Sequence, residues 1–188
     1  MMVFPAELVL LSTPHVVTTR RGAILTIRRA YAADIPLLAD LIMRVSAQTH
    51  WRRFFAYAQP AQSHAWREAQ RMVQLAGDTL VATVADAGNE TAVAVAELAY
   101  DPQLCSGEMA IMVQDDYQRQ GLGMVLGRLL VARALRHGLT ELYCYIQPDN
   151  QIALRLVRQL GVPSSTRFAG GLVYAQIRIT DLPVTRSA

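Results

Sequence analysis

The 188-residue chain contains no lysine, and all 18 of its basic residues are arginines. Cysteine is nearly absent as well, with only Cys105 and Cys144. Two cysteines are too few for the disulfide framework of a small secreted domain or for a four-cysteine zinc site. The four histidines show no metal-ligand spacing, so we expect no metal. Coding bias towards arginine and alanine explains the missing lysine most simply.

Charged residues are scarce, at 18% of the chain, whereas apolar residues make up 52%. This balance excludes intrinsic disorder. No apolar run approaches the roughly 18 residues of a membrane-spanning helix, so we expect no membrane partner. Residues 1–11 are apolar but lack the basic start of a secretory signal, and together with the two unpaired cysteines this favours the cytoplasm.

The formal net charge is only +3, and the arginines occur as scattered pairs rather than as a run. A nucleic-acid-binding surface usually carries a stripe of positive charge with interleaved aromatic side chains. We therefore expect no nucleic-acid partner. The length suits one domain with a core large enough to be stable without disulfides or metals.

Hydrophobic periodicity and turn residues predict alternating strands and helices. The predicted strands are a hairpin over Val16–Ala30, then Asp78–Ala85, Thr91–Tyr100, Gly107–Val113, Leu139–Ile146, Arg167–Phe168 and Leu172–Ile179. The predicted helices are Asp34–Val45, Ser63–Leu75, Gly121–His137 and Asn150–Leu160, with Asp34 as an N-cap. The stretch Ser46–Gln62 is predicted to be irregular. One α+β domain on a mixed sheet accounts for this order.

The most informative stretch is the polar loop that joins the apolar strand ending at Val113 to the helix beginning at Gly121. Backbone N–H groups at a helix N-terminus attract anions, and glycines at 121 and 123 allow close approach. The turn could be a helix junction without a ligand. A dinucleotide-binding turn fits poorly, because seven residues separate the strand from Gly121. The third interpretation is a phosphate cradle for coenzyme A.

The segment Gln118-Arg-Gln-Gly121-Leu-Gly123 resembles the acetyl-CoA signature of the GCN5-related N-acetyltransferase (GNAT) superfamily, Gln/Arg-x-x-Gly-x-Gly/Ala. Asn150, followed by Ala153, is similar to the family's Asn-x-x-Ala before the last helix. The resemblance covers roughly Leu25 to Ile179. It implies a mixed, mostly antiparallel sheet flanked by about four helices. We accordingly expect an acetyltransferase domain at 23–182, an N-terminal extension at 1–22 that forms an edge strand or arm, and a tail at 183–188.

A narrower resemblance lies upstream, in Arg28–Asp34 and in Val45–Phe55. These segments are similar to segments of bacterial protein-lysine acetyltransferases, which carry a Ser…Tyr-x-Arg-Phe-Phe stretch. Here Trp51 replaces the usual tyrosine.

The resemblance implies transfer of an acetyl group from acetyl-CoA, as co-substrate, to an acceptor amine. It implies that Val113 N–H is a donor to the thioester oxygen and that Asn150 binds the cofactor arm or a bridging water. The cofactor-binding residues it implies are Ile111, Met112, Val113, Gln118, Arg119, Gln120, Gly121, Leu122, Gly123 and Asn150.

The amine needs a general base, because a lysine ammonium with its ordinary pKa near 10.4 stays charged at neutral pH. The resemblance favours Glu108, an acid at the start of an apolar strand, and partial burial would make it a better base near neutrality. Glu108 could instead be a solvent-facing strand end. Glu97, on the neighbouring strand, is the rival base.

The sequence departs from the family at Val157, where many members carry a tyrosine that protonates the leaving thiolate. Tyr143 and Tyr145 are substitutes, or solvent performs the step. We expect a protein lysine as acceptor; the alternatives are a small-molecule amine or a catalytically weak CoA-binding sensor. The oligomeric state stays open, a dimer included.

Overall fold

The computed structural model describes residues 14–56, 60–74, 77–86, 88–101 and 103–180. The strands are β1 His15–Thr18, β2 Ile24–Arg29, β3 Gly77–Asp86, β4 Asn89–Asp101, β5 Ser106–Val113, β6 Glu141–Ile146, β7 Ser164–Ala169 and β8 Leu172–Arg178. The helices are α1 Ile35–Arg44, α2 Ala47–Phe54, α3 Gln62–Gln74, α4 Leu122–Arg136 and α5 Gln151–Gln159.

All eight strands form one sheet in the order β1-β2-β3-β4-β5-β6-β8-β7. Every neighbouring pair is antiparallel except β5 and β6, which are parallel and are joined through α4. The predicted mixed, mostly antiparallel sheet is confirmed.

The sheet carries a hydrophobic core on each face, because successive side chains along a strand point to opposite sides. In β4, Leu98 belongs to the cluster that includes the side chains of α4 and α5. Val95 belongs to the other cluster, which includes α1 and α3. Helices on both faces bury the middle of β4, from Ala92 to Leu98, which explains why the sequence of this strand is apolar almost throughout.

The prediction of irregular structure over Ser46–Gln62 is wrong in its first half, where α2 forms. Ser46 caps this helix by accepting a hydrogen bond from the Thr49 backbone N–H at 3.2 Å. Phe55, in the left-handed conformation with φ 57°, ends it. Only Thr49 and His50 of α2 are buried. The helix therefore lacks the apolar stripe by which a helix is recognised in a sequence.

Part of the predicted N-terminal extension lies within the sheet. Residues 15–18 form β1, the edge strand, which pairs with β2 from His15↔Ile27 to Thr18↔Ile24. Residues 1–13 and the predicted tail lie outside the described residues. No helix in the described part of the chain is long and apolar enough to cross a bilayer.

Two polar clusters attach helices to the sheet. At the C-terminal end of α4, His137 Nε2 lies 2.8 Å from the buried Asp78 carboxylate, and its Nδ1 lies 2.8 Å from the Tyr100 hydroxyl. At the start of α1, the buried Asp34 carboxylate accepts two hydrogen bonds from Arg28, at 2.7 and 2.8 Å, and one from the Tyr31 N–H at 2.8 Å. Asp34 thus precedes the helix as predicted, but its side chain binds β2 rather than capping the helix.

We expect Asp34→Asn to lower the free energy of unfolding by about 2 kcal/mol at pH 7, because a charge-assisted pair is lost. Burial by itself would raise the pKa of Asp34, but the hydrogen bonds from Arg28 and Tyr31 lower it below its ordinary value. The stabilisation is therefore complete above the unfolded-state pKa near 3.8 and is lost as the pH falls through the lower folded-state value.

Urea unfolding of both proteins at pH 7 and in acid measures this effect. The difference between them should shrink as the pH falls below about 4. Asp40→Asn is the matched control, because Asp40 pairs with Arg44 on the exposed surface of α1 and should contribute less than about 1 kcal/mol. A constant difference at all pH values would contradict the role of the Asp34 charge.

Candidate functional site

The site begins where β5 and β6 separate. The two strands pair only from Ser106↔Glu141 to Glu108↔Tyr143, although β5 continues to Val113 and β6 to Ile146. β6 remains paired with β8 along its whole length. Beyond Glu108 the strands diverge, and a cavity of about 510 Å³ opens between them.

The open edge of β5 presents backbone hydrogen-bonding groups to this cavity. Gln114 N–H donates to the Val93 carbonyl of β4 at 2.9 Å. Because backbone groups alternate in direction along a strand, the N–H groups of Ile111 and Val113 point the other way, towards the cavity. Met112 also lines the cavity. The Val113 carbonyl accepts a hydrogen bond from Gln118 Nε2 at 3.0 Å, which fixes the end of the strand.

The N-terminus of α4 faces the same cavity. Gly121 is the N-cap, with φ 93°, a conformation that favours glycine. A Cβ at this position would meet only Arg20 Nε, at 3.9 Å, so that it would project into the space in front of the helix. Arg119, with φ 57°, lines the cavity as well. Unpaired amides and the positive end of the helix dipole make this space suitable for phosphate groups.

The second glycine of the motif has a packing role that the sequence did not reveal. A Cβ on Gly123 would lie 3.0 Å from a methyl carbon of Leu156, and one on Gly127 would lie 2.9 Å from a methyl carbon of Leu160. Both glycines therefore let α5 approach α4 closely. Gly123 also lines the cavity, so it contributes to both features.

Two residues of the predicted cofactor set do not line the cavity. Gln120 is buried, and its side chain donates to the Asp116 carbonyl. Leu122 is part of the hydrophobic core. Their side chains therefore form no part of the cavity wall.

A polar network that the sequence did not reveal joins α2 to the loop before α4. The Asp115 carboxylate accepts hydrogen bonds from the Ser46 N–H at 2.8 Å, the Ser46 hydroxyl at 2.6 Å and the Thr49 hydroxyl at 2.8 Å. Gln118 Nε2 donates to the Thr49 hydroxyl at 2.9 Å. Burial alone would raise the pKa of Asp115, but these hydrogen bonds lower it. Since both N–H donors of the Gln118 side chain are used within the protein, this side chain positions the loop.

Asn150 is the N-cap of α5 and also lines the cavity. Its side-chain oxygen accepts a hydrogen bond from the Ala153 N–H at 3.2 Å, which explains the Asn-x-x-Ala spacing. Val157, about two turns after Asn150 along α5, is buried at the inner wall of the cavity. It has no proton to donate.

The two acidic residues considered as the base lie in different surroundings. Glu108 lines the cavity at the point where the strands separate, and it is exposed, so the expected partial burial is not found. Glu97 is only 4% exposed. Its carboxylate forms an ion pair with Arg53, and Arg71 Nη2 lies 3.6 Å away. Glu97 is therefore held by two guanidinium groups, whereas Glu108 faces the cavity.

Three tyrosines cluster beside Glu108 on the sheet. The ring of Tyr174 lies 5.8 Å from that of Tyr143 and 5.5 Å from that of Tyr145. Burial and the neighbouring Glu108 charge raise the pKa of Tyr143. Of the three, Tyr145 lines the cavity.

Among the described residues five arginines line the cavity, of which Arg20 and Arg155 had no predicted place in the site: Arg20, Arg52, Arg53, Arg119 and Arg155. Arg52 lies 3.6 Å from Asp149, linking the end of α2 to the loop before α5. These residues come from distant parts of the chain, and only the folded sheet brings them together.

Cys144 also lines the cavity, but burial, with a smaller contribution from Glu108, raises its pKa to about 12. It is therefore a protonated thiol at neutral pH. Cys105 is exposed. Among the residues that the structure describes, no group of three or more metal-ligating side chains forms a metal site.

The fold has many solved relatives. The GNAT domain of S. lividans PAT superposes with a TM-score of 0.75 at 19% identity, covering 93% of this chain and 99% of that one. YncA of Salmonella typhimurium, solved with its cofactor acetyl-CoA, superposes with a TM-score of 0.63 at 19% identity, covering 87% and 99%. The cAMP-binding acyltransferase of Mycobacterium smegmatis superposes with a TM-score of 0.58 at 21% identity, covering 91% of this chain and 49% of that one.

The model of the acetyltransferase (GNAT) family matches residues 46–162, which is more than half of the chain. The matched segment contains the diverging strands, the N-terminus of α4 and the Asn150 cap. This chain therefore belongs to the GNAT family of acetyltransferases, which use acetyl-CoA to acetylate an amine.

Proposed function

We propose that this acetyltransferase modifies lysine side chains of proteins and that Glu108 is its general base. The observation that carries the choice of base is the position of Glu108. Within the described residues it is the only carboxylate that lines the cavity, and it lies where β5 and β6 separate. The rival, Glu97, is occupied by Arg53 and Arg71.

Two observations support a protein lysine as acceptor. The GNAT domain of a protein acetyltransferase has the same fold over almost its full length. The segment that resembles protein-lysine acetyltransferases in sequence forms α2 and the residue after it, and it contributes Arg52, Arg53 and Phe55 to the cavity lining. We infer that the acceptor approaches between this segment and Tyr145.

In this proposal the residues of the chain act on the acceptor nitrogen and on the carbonyl under attack. Bound acetyl-CoA supplies the thioester. Glu108 removes a proton from the acceptor ammonium, leaving a neutral amine with a lone pair. The Val113 N–H, directed towards the cavity, donates a hydrogen bond to the carbonyl oxygen as negative charge develops there, and such a donor contributes about 3 kcal/mol. Because Val157 has no proton to donate, the leaving thiolate takes its proton from solvent or from Tyr145, which lines the cavity.

We expect Glu108→Gln to lower kcat at least tenfold, because a general base contributes about 10² to 10⁴ in rate. The affinity for acetyl-CoA should stay within about twofold, because the carboxylate faces the acceptor. Thiol release gives kcat, and calorimetry gives the affinity. The matched control is Glu141→Gln, a β6 glutamate that binds Gln176 outside the cavity. Unchanged turnover in Glu108→Gln would remove Glu108 from the mechanism.

The acceptor class is tested separately with purified proteins and lysine peptides on one side and polyamines and amino sugars on the other. We expect acetyl groups on protein lysine ε-nitrogens, located by mass spectrometry, and no more than trace turnover of the small amines. Turnover of small amines alone would contradict the lysine proposal and leave the role of Glu108 intact.

Direct transfer also predicts that neither cysteine forms an acetyl intermediate. At pH 8 a thiol with a pKa of about 12 is ionised to roughly one part in 10⁴. Iodoacetamide should therefore label Cys105 and leave Cys144 unmodified, and Cys144→Ala should keep kcat within about threefold. Rapid labelling of Cys144 that abolishes activity would favour a covalent mechanism.

A further inference from the structure

The turn between β1 and β2 lies against the start of α4. Arg20 N–H donates to the Gln120 carbonyl at 3.2 Å, which attaches the turn to the loop that carries the glycine motif. Thr19 N–H donates to the Ala23 carbonyl at 2.8 Å, and Gly22 N–H to the Thr19 carbonyl at 2.9 Å. The backbone thus fixes the position of the turn.

The Arg20 side chain extends from this turn to the front of the helix. Its Nε lies 3.9 Å from the place that a Cβ on Gly121 would occupy, and the residue lines the cavity. Within the part of the chain that the structure describes, Arg20 makes no ion pair. By contrast, Arg52 and Arg53, in the same lining, are paired with Asp149 and Glu97. Arg20 is therefore a positive charge beside the anion cradle whose donors are not taken by a carboxylate.

We propose that Arg20 binds the diphosphate of coenzyme A and completes the cradle formed by the amides of α4. A guanidinium has a planar set of donors that matches phosphate oxygens, and it adds a full charge to the partial charge of the helix end. The diphosphate is the group assigned because Arg20 Nε lies beside Gly121, where the helix amides begin. Arg20 lies outside residues 46–162, so the family motif does not include it.

This assignment makes the β1–β2 hairpin part of the cofactor site. A single backbone hydrogen bond from Arg20 to Gln120 aligns the hairpin with the loop, and the side chain of the same residue reaches the cavity. The proposal concerns the cofactor alone and does not depend on the identity of the acceptor or of the base.

Calorimetric titration of the protein, without any acceptor, with coenzyme A and with dephospho-coenzyme A tests the proposal. Arg20→Gln should lower the affinity for both ligands about tenfold, because a charge-assisted hydrogen bond to the diphosphate that they share is lost. Arg21→Gln is the matched control: Arg21 is the exposed neighbour in the same turn and does not line the cavity, so both affinities should stay within about twofold. Arg20→Lys, which keeps the charge but not the planar fork, should give an intermediate loss.

Three outcomes of these titrations would overturn the proposal. An unchanged affinity in Arg20→Gln would overturn the proposal, and so would an equal loss in Arg21→Gln, which would indicate a general effect of charge. A lower affinity for coenzyme A with an unchanged affinity for dephospho-coenzyme A would assign Arg20 to the 3′-phosphate and overturn the diphosphate assignment. Thermal unfolding without ligand should shift by less than about 2 °C in Arg20→Gln, because the hydrogen bond to Gln120 uses the backbone.

Discussion

The divergence of β5 and β6 after Glu108 is the constraint on which the site depends. Two parallel strands that stay paired satisfy the hydrogen-bonding groups of each other's backbone. Here the strands part after Glu108, so the backbone N–H and C=O groups on their facing edges need hydrogen-bond partners other than each other. The amide-containing arm of acetyl-CoA has donors and acceptors to supply that pairing. The connection from β5 to β6 runs through α4, so the helix N-terminus lies at the open end of the gap. One backbone feature thus places both the cavity and the anion cradle.

The neighbouring strands fix this divergence. Opposite β3, the pairing shifts from Ala82↔Ala94 to Thr83↔Ala92, leaving Val93 as an extra residue in β4. Its carbonyl accepts the Gln114 N–H at the end of β5. A bulge strengthens the local twist, and beside it β5 stays paired with β4 as far as Ala94↔Val113. On the other side β6 keeps its full pairing with β8, so neither strand is free to close the gap.

The features that were predicted correctly from the sequence are those that depend on residues close together along the chain. Short apolar runs bounded by turn residues predicted the strands of the sheet, and the glycine motif predicted the loop before α4, because turn conformation and helix capping depend on near neighbours. The helix α2 was missed because its eight residues bury almost nothing apolar. The roles of Gln118 and Gln120 were also beyond reach, since both look like surface amides until the partners of their side chains are known. The sequence offers both Glu97 and Glu108 as acids on neighbouring strands, whereas the fold buries Glu97 beside two arginines from separate helices and leaves Glu108 exposed at the cavity.

The absence of lysine gains a chemical meaning in this site. Coding bias stays the simplest explanation for the missing lysine, but the consequence is local: within the described residues, all five basic residues of the cavity lining are arginines. A guanidinium stays protonated at any physiological pH, so it has no free lone pair with which to attack a thioester. A lysine in the same positions would bind phosphate too, but it would also be an amine held beside the acetyl donor. An arginine can attract the negative charge of the cofactor, but its guanidinium cannot compete with the acceptor amine for the acetyl group.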